Sequence, residues 1–290
     1  MEINDAFIDI AGNRIHYLTA GSSGPAAVLL HGGGIDSARL SWELLIPELA
    51  ETHRVFAPDF PGYGESDRPD APYSVDYYVR FLAEFLRALQ IEKASLAGIS
   101  MGGSVALGFT LAYPSCVEKL ALVDSYGLQR AAPYHKLSYL FVRLPGVNTL
   151  SWALLKSRSA VRASLKALLQ RPGSLTEELV DMAVAEIQRP NAGKAWQAFQ
   201  KSEMLWSGTR TTYIDRLKEI AVPVLIVHGT KDTLVPREAS QEAHVRIPGS
   251  RLHWVDGAGH WPQRDHPKDF NRAVVRFFNE SAEDGLRKTD

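Results

Sequence analysis

The chain has 290 residues, of which 45% are hydrophobic and 22% charged, the composition of one large or two ordinary packed domains and not of a disordered or collagen-like chain. The 32 Lys and Arg against 33 Asp and Glu give a net charge of −1, so no overall field draws it to nucleic acid. A single cysteine, Cys116, excludes an internal disulfide, a thiol redox pair and a cysteine zinc site, and fits a reducing, cytoplasmic setting.

From the N-terminus, Glu2, Asp5, Asp9, Arg14 and His16 interrupt the apolar residues, so no leader is expected there. Ala6 to Ala11 and Arg14 to Ala20 read as two antiparallel strands turned at Gly12-Asn13. Six short apolar runs follow, beginning near Ala26, Arg54, Ala94, Lys119, Val224 and Leu252. Runs without a polar face belong to strands covered on both sides, hence to a mostly parallel sheet. Helical spacing over Ser74 to Leu89, Met101 to Tyr113, Arg237 to Val245 and Asp265 to Phe278 predicts a doubly wound α/β fold. No run reaches the roughly 18 apolar residues of a membrane span.

Between Gly127 and Ile220 the alternation stops, and the pattern predicts an all-helical insertion with helices over Leu137 to Leu144, Leu150 to Leu169, Leu175 to Ile187 and Ala195 to Leu205. This divides the chain into a core of residues 1–126 and 221–290 and a cap of residues 127–220. The cap holds 14 Lys and Arg against 7 Asp and Glu, a charge of +7 that leaves −8 on the core.

Ligands of such sheets sit beyond the carboxyl ends of the strands, and the residues there carry chemistry. Gly98-Ile99-Ser100-Met101-Gly102 places a serine on a strand-to-helix turn, flanked by glycines two residues away because the tight turn leaves no room for side chains. His31-Gly32-Gly33-Gly34 is a glycine loop at the same edge, where bare backbone N–H groups can hold an oxyanion. We assign that role to the Gly33 and Met101 N–H groups, and read His31 as a brace of the loop. His260, in Gly257-Ala258-Gly259-His260-Trp261, is the candidate base. Two strand-end carboxylates could orient it, Asp232 and Asp124. Asp232 is preferred because one strand-helix-strand unit separates it from His260, which makes their loops neighbours.

With these residues in place the chain resembles the α/β-hydrolase superfamily over nearly its whole length, aided by Asp59-Phe60-Pro61-Gly62-Tyr63-Gly64 after the fourth strand. The resemblance implies an eight-stranded sheet, a helical cap inserted after the sixth strand, and hydrolysis through Ser100, Asp232 and His260 without a metal or organic cofactor. Ser100-Met101-Gly102-Gly103, Ile187-Gln188-Arg189-Pro190 and Gly259-His260-Trp261 are similar to the branch that cleaves carbon–carbon bonds in ring-opened aromatic catabolites. That branch implies substrate contacts by Arg189 and Trp261, and Gly34 of the glycine loop is a further candidate contact. It has a polar residue before the nucleophile, where this chain has Ile99.

The leading expectation is a serine hydrolase of a small to medium, largely apolar carboxylic ester. Trp152, Trp196, Phe199 and Trp206 of the cap suggest an apolar chamber. The alternatives are a carbon–carbon bond hydrolase of a vinylogous diketone acid and a slow ligand receptor on the same fold. A small molecule is the expected partner, with monomer and homodimer both open. The basic, apolar Leu150 to Leu169 segment is also a candidate for lying on a lipid surface.

Overall fold

Apolar runs with no polar face need cover on both sides, and they form the middle of the sheet. The computed structural model describes residues 1–144 and 146–280. Its strands are β1 (Asn4–Ile10), β2 (Asn13–Ala20), β3 (Ala26–Leu30), β4 (Arg54–Pro58), β5 (Ala94–Ile99), β6 (Val117–Val123), the two-residue β7 (Met204–Leu205) and β8 (Gly208–Thr209), β9 (Val224–Gly229) and β10 (Arg251–Val255). The main sheet runs β1-β2-β4-β3-β5-β6-β9-β10. Pairs β1–β2 and β2–β4 are antiparallel and every later pair is parallel. β3, β5 and β9 are buried at every position.

The helices before the cap are α1 (Ala38–Trp42), α2 (Ile46–Leu49), α3 (Val75–Ala88) and α4 (Met101–Ala112). The cap contributes α5 (His135–Arg143), α6 (Val147–Leu155), α7 (Arg158–Leu168), α8 (Glu177–Gln188) and α9 (Lys194–Glu203), and the chain closes with α10 (Arg237–Arg246), α11 (Pro262–Asp265) and α12 (Pro267–Asn279). Because successive strand residues face opposite sides, Val28 and Leu30 join one apolar layer with Phe81, Leu82 and Val105 of α3 and α4. Ala27 and Leu29 join the other, with Trp42, Ile46, Phe270 and Val274.

Three expectations are corrected here. The segment over Leu150 to Leu169 is two helices, because the Ser157 hydroxyl accepts the Ala160 N–H and starts α7 afresh. Trp152 and Leu165 are buried against the rest of the protein, whereas Leu150 and Leu154 stay exposed. The cap is not wholly helical: β7 and β8 form a hairpin around Trp206-Ser207, and a Cβ at Gly208 would collide with the Arg130 carbonyl. The helix expected from Asp265 to Phe278 breaks at His266, since Pro267 starts α12. The last ten residues of the expected core, 281–290, and Pro145 of the expected cap lie outside the described residues.

One buried polar group secures the loop after β4. His16 bonds through Nδ1 to Asp59 Oδ2 at 2.7 Å and through Nε2 to Asp5 Oδ1 at 2.9 Å. Asp59 also accepts the N–H groups of Ala38 and Glu65. Burial opposes both charges, yet the pairing raises the His16 pKa above its usual 6.5 and lowers that of Asp59 below the usual range. The His16 share of stability is therefore complete below pH about 6.5 and is lost as pH rises through its raised value. The Asp59 share is lost as pH falls through its depressed value. His16→Ala, which strands Asp59, is expected to cost about 3 kcal/mol in urea titrations at mildly acidic pH. The cost shrinks on either side of that window.

Candidate active site

The turn between β5 and α4 holds Ser100 at φ 51°, ψ −117°, a conformation disfavoured for any residue with a Cβ and maintained only where the surroundings impose it. Its N–H donates to Val123 O (2.9 Å) and its carbonyl accepts the Tyr126 N–H (3.0 Å), so the end of β6 grips the turn on both sides. A Cβ at Gly98 would overlap the Gly102 carbonyl, and one at Gly102 would overlap the carbonyls of Leu30 and His31. The turn thus requires both glycines. Met101 is the first residue of α4, and its N–H has no acceptor in the helix.

The glycine loop after β3 lies against this turn, since a Cβ on Gly32 would stand 3.6 Å from Ser100 Cβ. His31 is fully buried and accepts the Phe60 N–H at Nε2 (3.0 Å), which leaves Nδ1 protonated toward Gly32 O (2.7 Å). It braces the loop, in the role the sequence suggested. Asp36 does more: its carboxylate accepts the N–H of Gly32 (2.7 Å) and Ser37 (2.8 Å) and the Ser41 hydroxyl (2.8 Å). The Gly33 N–H has no acceptor among the described residues. The Trp196 ring covers Gly33 closely enough that any Cβ there would overlap it, and stacks on Phe199 at 5.5 Å.

At the far side of the edge, His260 Nδ1 lies 2.8 Å from Asp232 Oδ2. Asp232 Oδ1 accepts the N–H groups of Leu234 (2.7 Å) and Val235 (3.3 Å). The loops carrying the pair are stitched by Thr230 N to Val255 O, Lys231 N to Ala258 O and Gly257 N to Thr230 Oγ1. Of the two carboxylates left open by the sequence, His260 meets Asp232. Asp124 stands directly behind it, fully buried, with Oδ1 accepting the Gly229 N–H at 3.1 Å.

Asp124, His228 and Asp232 bring one ligating atom each to within 4.8 Å of one another. A cation could compensate such a cluster, and so could a shared proton. Burial and the adjacent Asp232 charge push the Asp124 carboxyl well above the usual range. Burial would raise Asp232 too, but His260 and the hydrogen bond from Asp124 hold it below the usual value. His228, neutral because burial lowers it to about 4, bonds to Ser240 Oγ at 2.9 Å. One proton on Asp124 thus leaves a single negative charge, carried by Asp232.

Residues 27–273 match the sequence profile of the Alpha/beta hydrolase family. The chain belongs to this family. An uncharacterised protein of Mycobacterium tuberculosis is 33% identical to this hydrolase-family chain over 282 residues, covering 94% of it and 80% of the relative. The 2-hydroxy-6-oxononadienedioate/2-hydroxy-6-oxononatrienedioate hydrolase of Burkholderia vietnamiensis is 32% identical, over 91% of this chain and 90% of its own. The solved meta-cleavage product hydrolase CumD of Pseudomonas fluorescens IP01 superposes with a TM-score of 0.81 at 29% identity, covering 94% of this chain and 97% of CumD.

The remaining candidate contacts of this family member are spread more widely. Gly34, at φ 82°, lines a cavity of about 20 Å³ with Tyr63, Arg68 and Glu186. Arg189, at the end of α8, is held by Glu186 (2.9 Å) and Glu65 (3.3 Å), while burial pushes the Glu186 carboxyl up to about 7. Trp261 is buried in the apolar layer that continues into α7 and α8. Trp152 and Phe199 are buried, but Trp206 is 54% exposed on the cap surface, which takes it out of the expected chamber. Two bracing carboxylates had no sequence assignment of this kind, Asp36 and Asp265. Asp265 accepts the N–H groups of Gly259 (2.7 Å), Gln170 (2.8 Å) and Arg171 (3.1 Å), tying the His260 loop to the cap. Their only sequence signal is a position a few residues beyond a glycine-bearing loop.

Proposed function

We propose that this Alpha/beta hydrolase is a serine hydrolase that cleaves a carboxylic ester of a small to medium, largely apolar compound. The observation that carries the reading is Ser100 held at positive φ on the glycine turn, at the edge where His260 is already oriented by Asp232. In this reading Ser100 Oγ attacks the ester carbonyl as His260 Nε2 takes its proton, and Asp232 steadies the resulting imidazolium. The Gly33 and Met101 N–H groups receive the oxyanion. Collapse expels the alcohol, which takes the proton from His260 and leaves an acyl group on Ser100. Water, deprotonated by His260, then attacks the acyl carbonyl, and Ser100 departs with that proton to release the acid. Gly34 and Trp261 remain candidate walls of the substrate site.

A second reading is carbon–carbon cleavage of a ring-opened dienoate acid. It is favoured by the activity named for the Burkholderia relative and by Arg189 in a cap of charge +7. Against it, Ile99 before the nucleophile is apolar and fully buried, and both Glu186 and Glu65 already engage Arg189. Steady-state rates on 4-nitrophenyl butyrate and on a 2-hydroxy-6-oxo-dienoate separate the two. The expected result is kcat/KM at least about 100-fold higher on the ester, about 3 kcal/mol at the transition state. A dienoate turned over faster by that margin would replace the first reading with the second. A slow receptor on the same fold would turn over neither and leave Ser100 unlabelled by a fluorophosphonate.

A further inference from the structure

The cap carries an apolar surface that the chemistry at Ser100 does not use. Along α5 and just beyond it, Leu137 (69%), Leu140 (46%), Phe141 (42%) and Leu144 (53%) are solvent-exposed. Their spacing of three, four and seven residues makes one stripe on the helix, while Val142 points inward at 2%. The next helix, α6, repeats the arrangement: Leu150 (62%) and Leu154 (66%) lie outside, one turn apart, and Trp152 packs inside. Soluble chains rarely leave such a surface in water without a partner for it.

Charge decides which partner. From residue 125 to 176 the sequence has eight Lys and Arg and no Asp or Glu. Arg158 and Arg162 are taken up by Glu177 and Asp181 of α8. Lys136 and Lys156, next to the stripe, have no carboxylate partner among the described residues, and Lys136 sits over the exposed Trp206 ring at 5.4 Å. A second copy placed on this face by a twofold axis would set cation against cation, with no acid in the segment to relieve it. Leucines bordered by lysines and a tryptophan are what the boundary between headgroups and acyl chains accommodates.

We propose that α5 and α6 dock the cap on an anionic lipid bilayer. Leu137, Leu140, Phe141, Leu150 and Leu154 enter the acyl boundary, and Lys136 and Lys156 meet the headgroups. No helix among the described residues is long and apolar enough to cross a membrane, and the contact proposed is of the cap surface with one leaflet. The inference is independent of the reaction at Ser100.

The test is co-sedimentation of the full chain with vesicles of phosphatidylcholine alone or with a quarter of phosphatidylglycerol, in low and high salt. Binding is expected only to the anionic vesicles, weakening with salt. Leu140→Asp with Leu154→Asp should lower the partition coefficient at least about tenfold. Lys136→Glu with Lys156→Glu should lower it at least about 25-fold, about fivefold for each lysine removed. These surface variants should retain the wild-type melting temperature, which separates lost docking from lost folding. No pelleting with anionic vesicles overturns the proposal, as does equal binding to both vesicle types. A homodimer in sedimentation velocity that Leu140→Asp with Leu154→Asp dissociates would assign the face to a second copy instead.

Discussion

Replacing Ser100 with alanine is expected to lower kcat on 4-nitrophenyl butyrate about 10⁵-fold, a loss of about 7 kcal/mol at the transition state. The residual rate would come from binding and from the Gly33 and Met101 N–H groups, which the substitution leaves in place. The fold should tolerate the change, because the turn geometry is imposed by Gly98, Gly102 and the two bonds to Val123 and Tyr126, none of which involves the hydroxyl. The melting temperature should therefore stay within a few degrees of wild type. Fluorophosphonate should label wild type stoichiometrically and Ser100→Ala not at all. More than about 1% residual activity in a carefully purified variant would place the nucleophile elsewhere.

The second large effect separates the two buried carboxylates. Asp232→Asn should lower kcat/KM about 10⁴-fold, because an amide opposite His260 Nδ1 neither fixes the imidazole tautomer nor balances the imidazolium. Asp124→Asn, 108 residues earlier in the chain, should cost less than about tenfold at pH 7, since a neutral acid that donates toward Asp232 is replaced by an amide that can do the same. Reversal of that order would make Asp124 the orienting residue. Stability supplies a second readout. The Asp124 pKa is raised in the fold, so the folded chain holds a proton that the unfolded chain releases above its ordinary carboxyl pKa. Stability from this group is full below that value and falls as pH rises. Asp124→Asn removes this slope, so its melting temperature relative to wild type should be higher at pH 8 than at pH 4. A difference that is the same at both pH values would mean that Asp124 is not held neutral.

Much of the sheet was legible because β3, β5 and β9 have no polar face, a pattern with few interpretations in a chain that alternates with amphipathic helices. The Ser100 turn was legible from its glycine spacing, although only Gly98 is required by an atom of the turn itself, while Gly102 is required by the carbonyls of Leu30 and His31. What escaped was either too short to leave a pattern or decided at longer range. The helices α1 and α2 are only five and four residues long, too short to show a period. Ser157 interrupts a continuous apolar pattern with a single hydroxyl. Asp124 and Asp232 end neighbouring strands, and only the approach of the His260 loop distinguishes them. The bracing carboxylates Asp36, Asp59 and Asp265 have partners contributed by other loops, by α1 or by the cap, and no spacing along the chain announces those bonds.

Asp265 has a consequence for the order of events in a catalytic cycle. One carboxylate holds both the backbone just before His260, at Gly259, and the cap backbone at Gln170 and Arg171. Lifting this corner of the cap would give up two charge-assisted bonds and slacken the support of His260 at the same time. If His260 is the base proposed above, any movement of this corner would move the base with it. The corner at Asp265 thus couples the seating of the cap to the seating of His260, so that disturbing either is felt at the other.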